Sequence, residues 1–389
     1  MATPTLARTA NLPVERVESR SGPVYVAETS FPVHHRHGAL ALGDVLAIDG
    51  AARERLSPGL SVADLAGAAF FDIETTGLAG GTGTLAFLVG IGGFDGDRFR
   101  LRQYFLADLR HEGAMLDAVL ESLEGSSALV SFNGRRFDLP LLETRFRMAR
   151  RAAPAVERHI DLLYPARRLY RRRLASCSLG SLESALLGLQ RYDDTPGWLI
   201  PGLYFDYMRG GRAGALGAVF RHNALDILSL VTLAAHLGHV VGGKVDGDAD
   251  HCLAVARWDE AEGRLDEAAR LYERAWRLSP GGEAGASAVE RLARIHRRLG
   301  RWEEAERLWW EEEERSPAPG RRLRGLVESA KLAEHRRRDY AAASALTQRA
   351  LTLLEVQSLR GSGPALAGQR AALEHRLRRL QRRLAASAG

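Results

Sequence analysis

The sequence predicts an α/β domain built on a mixed sheet flanked by helices, followed by an all-α region of helical repeats. Three observations carry this expectation. Apolar runs at residues 68–74 and 84–93, and an alternating apolar and polar stretch at 98–105, read as consecutive sheet strands. After them, helical and strand-like stretches alternate, the pattern of a sheet covered by helices. Beyond His251 the composition changes, and a six-residue motif returns at spacings of 37 and then 38 residues.

In chain order, residues 1–66 hold Pro, Gly and short apolar runs such as Val24-Tyr25-Val26, with no sustained period, and stand as an N-terminal extension of unassigned structure. Within it lie His34, His35 and His37. Three histidines within four residues suit a metal site. Without cysteine or carboxylate spacing beside them, a structural or phosphate-facing loop is favoured. Asp95-Gly96-Asp97 separates the second and third runs and suits a hairpin turn. Residues 111–123 then have helical periodicity, 128–132 read as a strand and 137–150 as a helix. Ser178 is placed to cap a helix over 179–189, Pro196 and Pro201 bracket an irregular connection, and 216–240 form a strongly apolar helix. These elements set a domain at 67–241. The Gly/Asp-rich stretch 242–250 is a linker rather than a calcium loop, since the required glycine and terminal glutamate positions hold His251 and Arg257.

In the region 251–389, Gly263-Arg264-Leu265-Asp266-Glu267-Ala268 returns as Gly300-Arg301-Trp302-Glu303-Glu304-Ala305 and, more weakly, as Arg338-Asp339-Tyr340-Ala341-Ala342-Ala343. Each copy precedes an amphipathic helix, and Pro280 and Pro317 close the first two. The pattern resembles tetratricopeptide-type helical hairpins, whose stacking builds a surface for protein partners.

Composition removes several function classes. The 54 basic and 48 acidic residues leave a net charge of +6, yet the only lysines are Lys244 and Lys331. Neither lies in the Gly-Lys-Ser/Thr setting of a phosphate-binding ATPase loop, so that chemistry is excluded. Two cysteines, Cys177 and Cys252, argue against a disulfide scaffold and a zinc ribbon. No apolar run approaches the roughly 20 residues of a membrane span, so no membrane partner is expected. The short polar N-terminus lacks a secretory core, which makes the expected location cytoplasmic. Between residues 144 and 173, ten arginines face two acids.

Three segments carry chemistry. Asp72 and Glu74 alternate with apolar residues at the end of the first run, so both carboxylates project from one strand face. Adjacent carboxylates leaving an apolar strand repel one another and are costly to desolvate unless a cation neutralises them. Asp138 follows Asn133-Gly134-Arg135-Arg136-Phe137 at a helix start, where capping is its simplest role. His222 and Asp226 lie one turn apart on an otherwise apolar helix.

Taken in order, these four acids and the histidine resemble the DEDD family of RNase H-like 3′-to-5′ exonucleases. The stretch Gly77-Leu78-Ala79-Gly80-Gly81-Thr82-Gly83-Thr84, the Asn133-Gly134 pair and the His222-Asn223-x-x-Asp226 ending are more narrowly similar to its YprB-like branch. The resemblance covers residues 70–237 and the domain-plus-repeat layout. It implies an RNase H-like sheet and hydrolysis of phosphodiester bonds at single-stranded DNA or RNA ends with two Mg²⁺ or Mn²⁺ ions. It further implies that Asp72 bridges both ions, Glu74 and Asp226 hold the nucleophile-side ion, and Asp138 acts on the other. His222 would orient or deprotonate the attacking water. The backbone from Thr75 through Thr76 and Gly77 to Leu78 would grip the terminal nucleotide, and Asn133 would orient the second motif or the substrate. One departure is evident: the histidine subclass places Asp five residues after His, whereas Asp226 follows His222 by four, the spacing of the tyrosine subclass.

Arg135, Arg136, Arg145, Arg147, Arg150, Arg151, Arg167, Arg168 and Arg171–Arg173 are candidates to track a phosphate backbone. Asp161 reads as a helix cap, and residues 80–84 as a turn between strands. Two rivals remain. One is a catalytically inactive nucleic-acid-binding or scaffold protein working through its repeats. The other is an endonuclease using the same metal chemistry on a junction or hybrid.

Overall fold

The apolar runs become strands of one sheet. The computed structural model describes residue 9 and residues 11–77, 82–155, 157–211, 213–243, 247–358 and 364–388. The chain divides into two units, Met1–Val245 and Asp246–Gly389.

The first unit contains β1 (Glu15–Ser19), β2 (Gly22–Pro32), the short pair β3 (Arg36–His37) and β4 (Leu40–Ala41), then β5 (Ala68–Thr75), β6 (Ala86–Asp95), β7 (Arg98–Phe105), β8 (Ala128–Ser131) and β9 (His159–Asp161). Seven of these form a sheet in the order β1-β2-β7-β6-β5-β8-β9. β5 runs antiparallel to β6 and parallel to β8, so the sheet is mixed. The turn at Gly96 closes the β6–β7 hairpin: Asp95 pairs with Arg98, and Gly96 takes φ +60°. Residues 1–66, unassigned from sequence, supply β1 and β2. β2 extends the sheet by pairing with β7 from Tyr25↔Phe105 to Pro32↔Arg98.

The helices of this unit are α1 (Gly50–Leu56), α2 (Val62–Ala66), α3 (Glu112–Leu123), α4 (Asp138–Met148), α5 (Leu163–Tyr170), α6 (Leu179–Leu182), α7 (Ile200–Met208) and α8 (Leu216–Val241). Ser178 caps α6, its hydroxyl accepting from the Ser181 N–H at 3.3 Å. The predicted helix over 179–189 is shorter than expected, because the chain widens into a π-turn at Glu183–Leu187 and ends at Gly188 with φ +65°. α7 is pinned to the sheet by its tyrosines. Tyr204 stacks on Phe87 at 4.1 Å, and Tyr204 and Tyr207 donate to the Leu106 and Ala107 carbonyls at 2.9 and 3.1 Å.

α8 has the length and apolar composition of a membrane span, but 72% of its most apolar window is buried inside the protein. It packs against β5, β6 and β7. Two strand glycines let it lie close. A Cβ at Gly92 would meet Ile227 Cγ2 at 2.7 Å, and one at Gly90 would meet Asn223 Oδ1 at 2.3 Å.

The second unit is a series of helices: α9 (Ala249–Ala261), α10 (Leu265–Leu278), α11 (Glu283–Arg298), α12 (Trp302–Arg315), α13 (Pro319–Leu332), α14 (Tyr340–Ser358) and α15 (Pro364–Ala388). Each packs on its sequence neighbour, as a stacked repeat array requires. Asp248, in the predicted linker, caps α9 through its carboxylate and the His251 N–H at 2.8 Å. The recurring motif marks the turns within three hairpins. Gly263, Gly300 and Arg338 occupy its first position, all left-handed, with φ of +80°, +72° and +56°. Five residues later Ala268, Ala305 and Ala343 are each fully buried, so a small side chain recurs where the paired helices meet.

Candidate active site

The site is assembled on a row that crosses three strands. Asp72 on β5 is paired with Gly90 on β6, and Gly90 with Gln103 on β7. Asn223 of α8 lies over Gly90, where only a hydrogen leaves room for it. Its Nδ2 donates to Asp72 Oδ2 at 2.9 Å, and its Oδ1 accepts from Gln103 Nε2 at 2.9 Å. Gln103 also donates to the Phe220 carbonyl at 2.8 Å. The Asn223 amide is thereby held in one orientation, its Nδ2 on Asp72 and its Oδ1 on Gln103.

One helical turn brings the second cluster. His222 Nε2 stands 3.9 Å from Glu74 Oε1 and 3.7 Å from Asp226 Oδ2. Its Nδ1 lies 2.9 and 2.8 Å from the two oxygens of Asp194. Arg191 ties the cluster together: Nη1 donates to Asp194 at 3.0 Å, while Nη2 donates to both Glu183 and Asp226. Glu183, almost fully buried at 1% side-chain exposure, sits on the π-turn after α6. The irregular turn thus places the anchor of this network.

Asp138 opens α4 as its first helical residue. The N-cap is Phe137, and no side chain caps there. The capping role anticipated for Asp138 is not the one it has; the site's other acids lie close enough to perturb its carboxyl. The preceding turn is held by Asp161 on β9. Its oxygens accept from the backbone N–H groups of Asn133 at 2.7 Å, Arg135 at 3.2 Å and Leu163 at 3.1 Å. The N-cap of α5 is Leu162, not Asp161 as its sequence setting suggests; Asp161, one residue earlier, accepts from the first helical N–H, that of Leu163, and fastens the second motif to the sheet. Asn133 takes φ +65°, a conformation that asparagine tolerates. A Cβ at Gly134 would meet Ser131 Oγ at 2.4 Å.

The electrostatics follow from packing four acids together. Burial raises the Asp72 carboxyl well above its usual range, and Asp226, Glu74 and Asp138 raise it further, against the hydrogen bond from Asn223. Glu74 is raised in the same way by burial, then Asp226, Asp138 and Asp194, with Arg191 opposing. Burial, then Asp161 and Asp226, push Asp138 up to about 7. Asp226 is raised by burial against Arg191 and His222. Asp194 is the exception: burial would raise it, but hydrogen bonds from His222 and Arg191 outweigh that and hold it below its usual range. As placed, no three His, Cys, Asp or Glu side chains among the described residues are close enough to hold an ion together. The donor set nonetheless fits hard divalent cations. Four carboxylates in a like-charged, desolvated cluster offer oxygen ligands and a charge deficit that Arg191 alone does not balance.

The remaining predicted site residues divide. The Thr75 hydroxyl donates to the Gly77 carbonyl at 2.9 Å, and Thr76 pairs with Leu85 through its backbone N–H at 3.0 Å and its hydroxyl at 2.9 Å. Both hydroxyls therefore shape the turn that leaves β5 beside Glu74. Leu78 lies outside the described residues. Arg136 is exposed near the second motif, while the Arg135 guanidinium is bonded to the His159 carbonyl. Two arginines placed among the phosphate-tracking candidates are committed elsewhere. Arg145 is buried and grips Glu112 with two hydrogen bonds of 2.6 and 2.7 Å, and Arg151 pairs with Asp117. His37 of the histidine-rich stretch is buried against Ser229 Oγ at 2.8 Å, and burial with nearby Arg191 and His35 lowers its pKa to about 4. That is a structural role.

Sequence reasoning did not single out Asp194, Arg191, Glu183 or Gln103. Glu183 lies within the predicted helix, where it reads as an ordinary polar position, and Arg191 and Asp194 sit in the irregular chain between that helix and Pro196, where no period exists to read. Gln103 looks like any polar residue of an alternating strand.

Two profile matches agree with this architecture: residues 69–238 match the RNase_H superfamily, and residues 260–308 match a tetratricopeptide repeat. The chain is also 32% identical over 337 residues to the uncharacterized protein YprB of Bacillus subtilis (strain 168), across 84% of this chain and 80% of that one. The chain therefore belongs to the YprB family, an RNase H-like domain followed by tetratricopeptide repeats.

Proposed function

We propose that this protein is a metal-dependent 3′-to-5′ exonuclease acting on single-stranded ends of DNA or RNA, with repeats that dock a protein partner. The observation that carries the reading is the gathering of Asp72, Glu74, Asp138 and Asp226, from three separate elements, into one mutually repelling cluster beside His222. A purely structural core has no use for such a costly group.

Asp72, Glu74, Asp138 and Asp226 would hold two Mg²⁺ or Mn²⁺ ions. When bound, such ions supply a stronger water nucleophile and neutralise the leaving oxygen of a phosphodiester. The protein's own groups do the rest. Asn223 and Gln103 keep Asp72 in one orientation. His222 Nε2 takes a proton from the attacking water. The water oxygen forms the new bond to phosphorus, the bond to the 3′ oxygen breaks, and that oxygen is protonated from solvent. The backbone at Thr75–Gly77 borders the terminal nucleotide, and Arg136 meets a neighbouring phosphate. A cytoplasmic location accords with this role.

The test is cleavage of end-labelled single-stranded DNA and RNA by the wild type and by Asp72→Ala, in Mg²⁺, in Mn²⁺ and in EDTA. Metal-dependent stepwise shortening that disappears in the variant is expected. Salt-sensitive binding without cleavage in any condition would replace this reading with the scaffold role.

A further inference from the structure

We propose that Asp194 is a positioning residue that sets the ring of His222 for proton transfer, forming with it a carboxylate–histidine pair behind the four-acid cluster. The proposal rests on the nuclease reading above and adds to it a residue outside the four-acid motif.

Both oxygens of Asp194 lie within hydrogen-bond distance of His222 Nδ1, at 2.8 and 2.9 Å. An ionised carboxylate only accepts, so this contact requires the hydrogen to sit on Nδ1. Nε2 of the neutral ring then keeps its lone pair. It faces Glu74 and Asp226 at 3.9 and 3.7 Å, too far for direct hydrogen bonds. The ring is held on one side and left available on the other.

Asp194 is itself held. Its Oδ1 accepts from the Thr195 N–H at 2.9 Å, and its Oδ2 from Arg191 Nη1 at 3.0 Å. Arg191 in turn is fixed by Glu183 on the π-turn and by Asp226. The loop is also braced to α8, where Arg221 donates to the Asp193 carbonyl at 3.3 Å. The same guanidinium therefore restrains the carboxylate behind His222 and the acid one helical turn beyond it. Proton uptake at Nε2 makes an imidazolium, and an ionised Asp194 stabilises that charge where it forms.

The alternative is that Asp194 merely latches the loop to the helix. A latch would affect folding without dictating which ring nitrogen carries the hydrogen. The deciding experiment uses the full chain labelled with ¹⁵N-histidine, with the His222 signals assigned by their loss in His222→Gln. Long-range nitrogen–proton correlation then reads the tautomer, and steady-state cleavage of single-stranded substrate reads kcat and KM. The wild type is expected to show the Nδ1–H form. Asp194→Asn puts a donor where either His222, Thr195 or Arg191 already donates, so the tautomer preference should be lost. Its kcat should fall roughly 10- to 100-fold with KM little changed, the usual cost of losing an orienting partner. Asp194→Glu should recover part of that loss. If the Asn variant fails to fold, Asp194→Ala, which adds no donor, carries the same readouts. An unchanged tautomer with unchanged kcat, or a loss confined to KM, overturns the proposal. A wild type inactive with every metal overturns the nuclease reading instead, and the tautomer arm separates the two: its dependence on Asp194 would leave the orientation of His222 standing.

Discussion

Gly90→Ala is the sharpest test of how the first carboxylate is held. The added Cβ would lie 2.3 Å from Asn223 Oδ1 and 3.0 Å from its Cγ and Nδ2, closer than real Cβ contacts come. Asn223 is fully buried, so it must leave the row, breaking its bonds to Asp72 and Gln103. Overpacking a dense interior costs about 1–3 kcal/mol. Losing the two hydrogen bonds adds about 1–3 kcal/mol. Replacing a strand glycine returns roughly 0.5–1 kcal/mol. The net expectation is a loss of about 1–5 kcal/mol in the first unit. The assay is native-state hydrogen exchange read by mass spectrometry on peptides from β5 to β7, which reports this unit apart from the repeats. The control is a double-mutant cycle: with Asn223→Ala already in place the clash is gone, and Gly90→Ala should then cost little. A single variant with wild-type protection, or the same penalty in both backgrounds, would refute the argument that Asn223 and Gly90 share one space.

Four further outcomes follow from the structure. Asp138, raised by burial, Asp161 and Asp226 from 3.8 to about 7, binds more protons folded than unfolded across that window, so its ionisation removes stability as pH rises through it. Buried His37 and His159, lowered to about 4, have the opposite slope, so the useful quantity is the difference between Asp138→Asn and wild type in EDTA. That variant's melting temperature should gain on the wild type as pH rises from 4 towards 7, and a constant difference would count against the shift. Arg145→Met, which strands Glu112, should cost about 2–4 kcal/mol in denaturant unfolding. By contrast, Arg136→Ala should leave folding intact and lower the salt slope of nucleic-acid binding by about 1; a reversal of these two effects would show that the phosphate contacts are misassigned. Arg338→Gly relieves a left-handed arginine at φ +56° and should stabilise the repeats by roughly 0.5–1 kcal/mol, or about 2–4 °C. Tryptophan fluorescence is the suitable probe, since five of the six tryptophans lie beyond residue 251.

What the sequence revealed and what it concealed have a common cause. β5 to β7, α3, α4 and α8 are legible because each buries a local, periodic set of side chains. The alternation that placed Asp72 and Glu74 on one face is the same signal that made β5 a strand. The repeats are legible because one turn, with its left-handed first residue and buried alanine, recurs. β2 is not: its hairpin with β1 is local, but the register that joins it to the rest of the sheet is set by β7, some 70 residues later. Asp194 and Arg191 fail the same test more severely. Their roles come from meeting His222 and Asp226 across more than 25 residues, from a loop with no period of its own, so composition gives them no mark. The phosphate-facing reading of Arg145 and Arg151 failed for a related reason: a basic run counts charges but not the acids on other elements that neutralise them. Local patterning therefore identified the acids that gather in the candidate site. The groups that orient those acids and the histidine are defined by tertiary contact, and it is at Gly90, Asn223 and Asp194 that substitutions will distinguish an assembled catalytic site from a row of buried carboxylates.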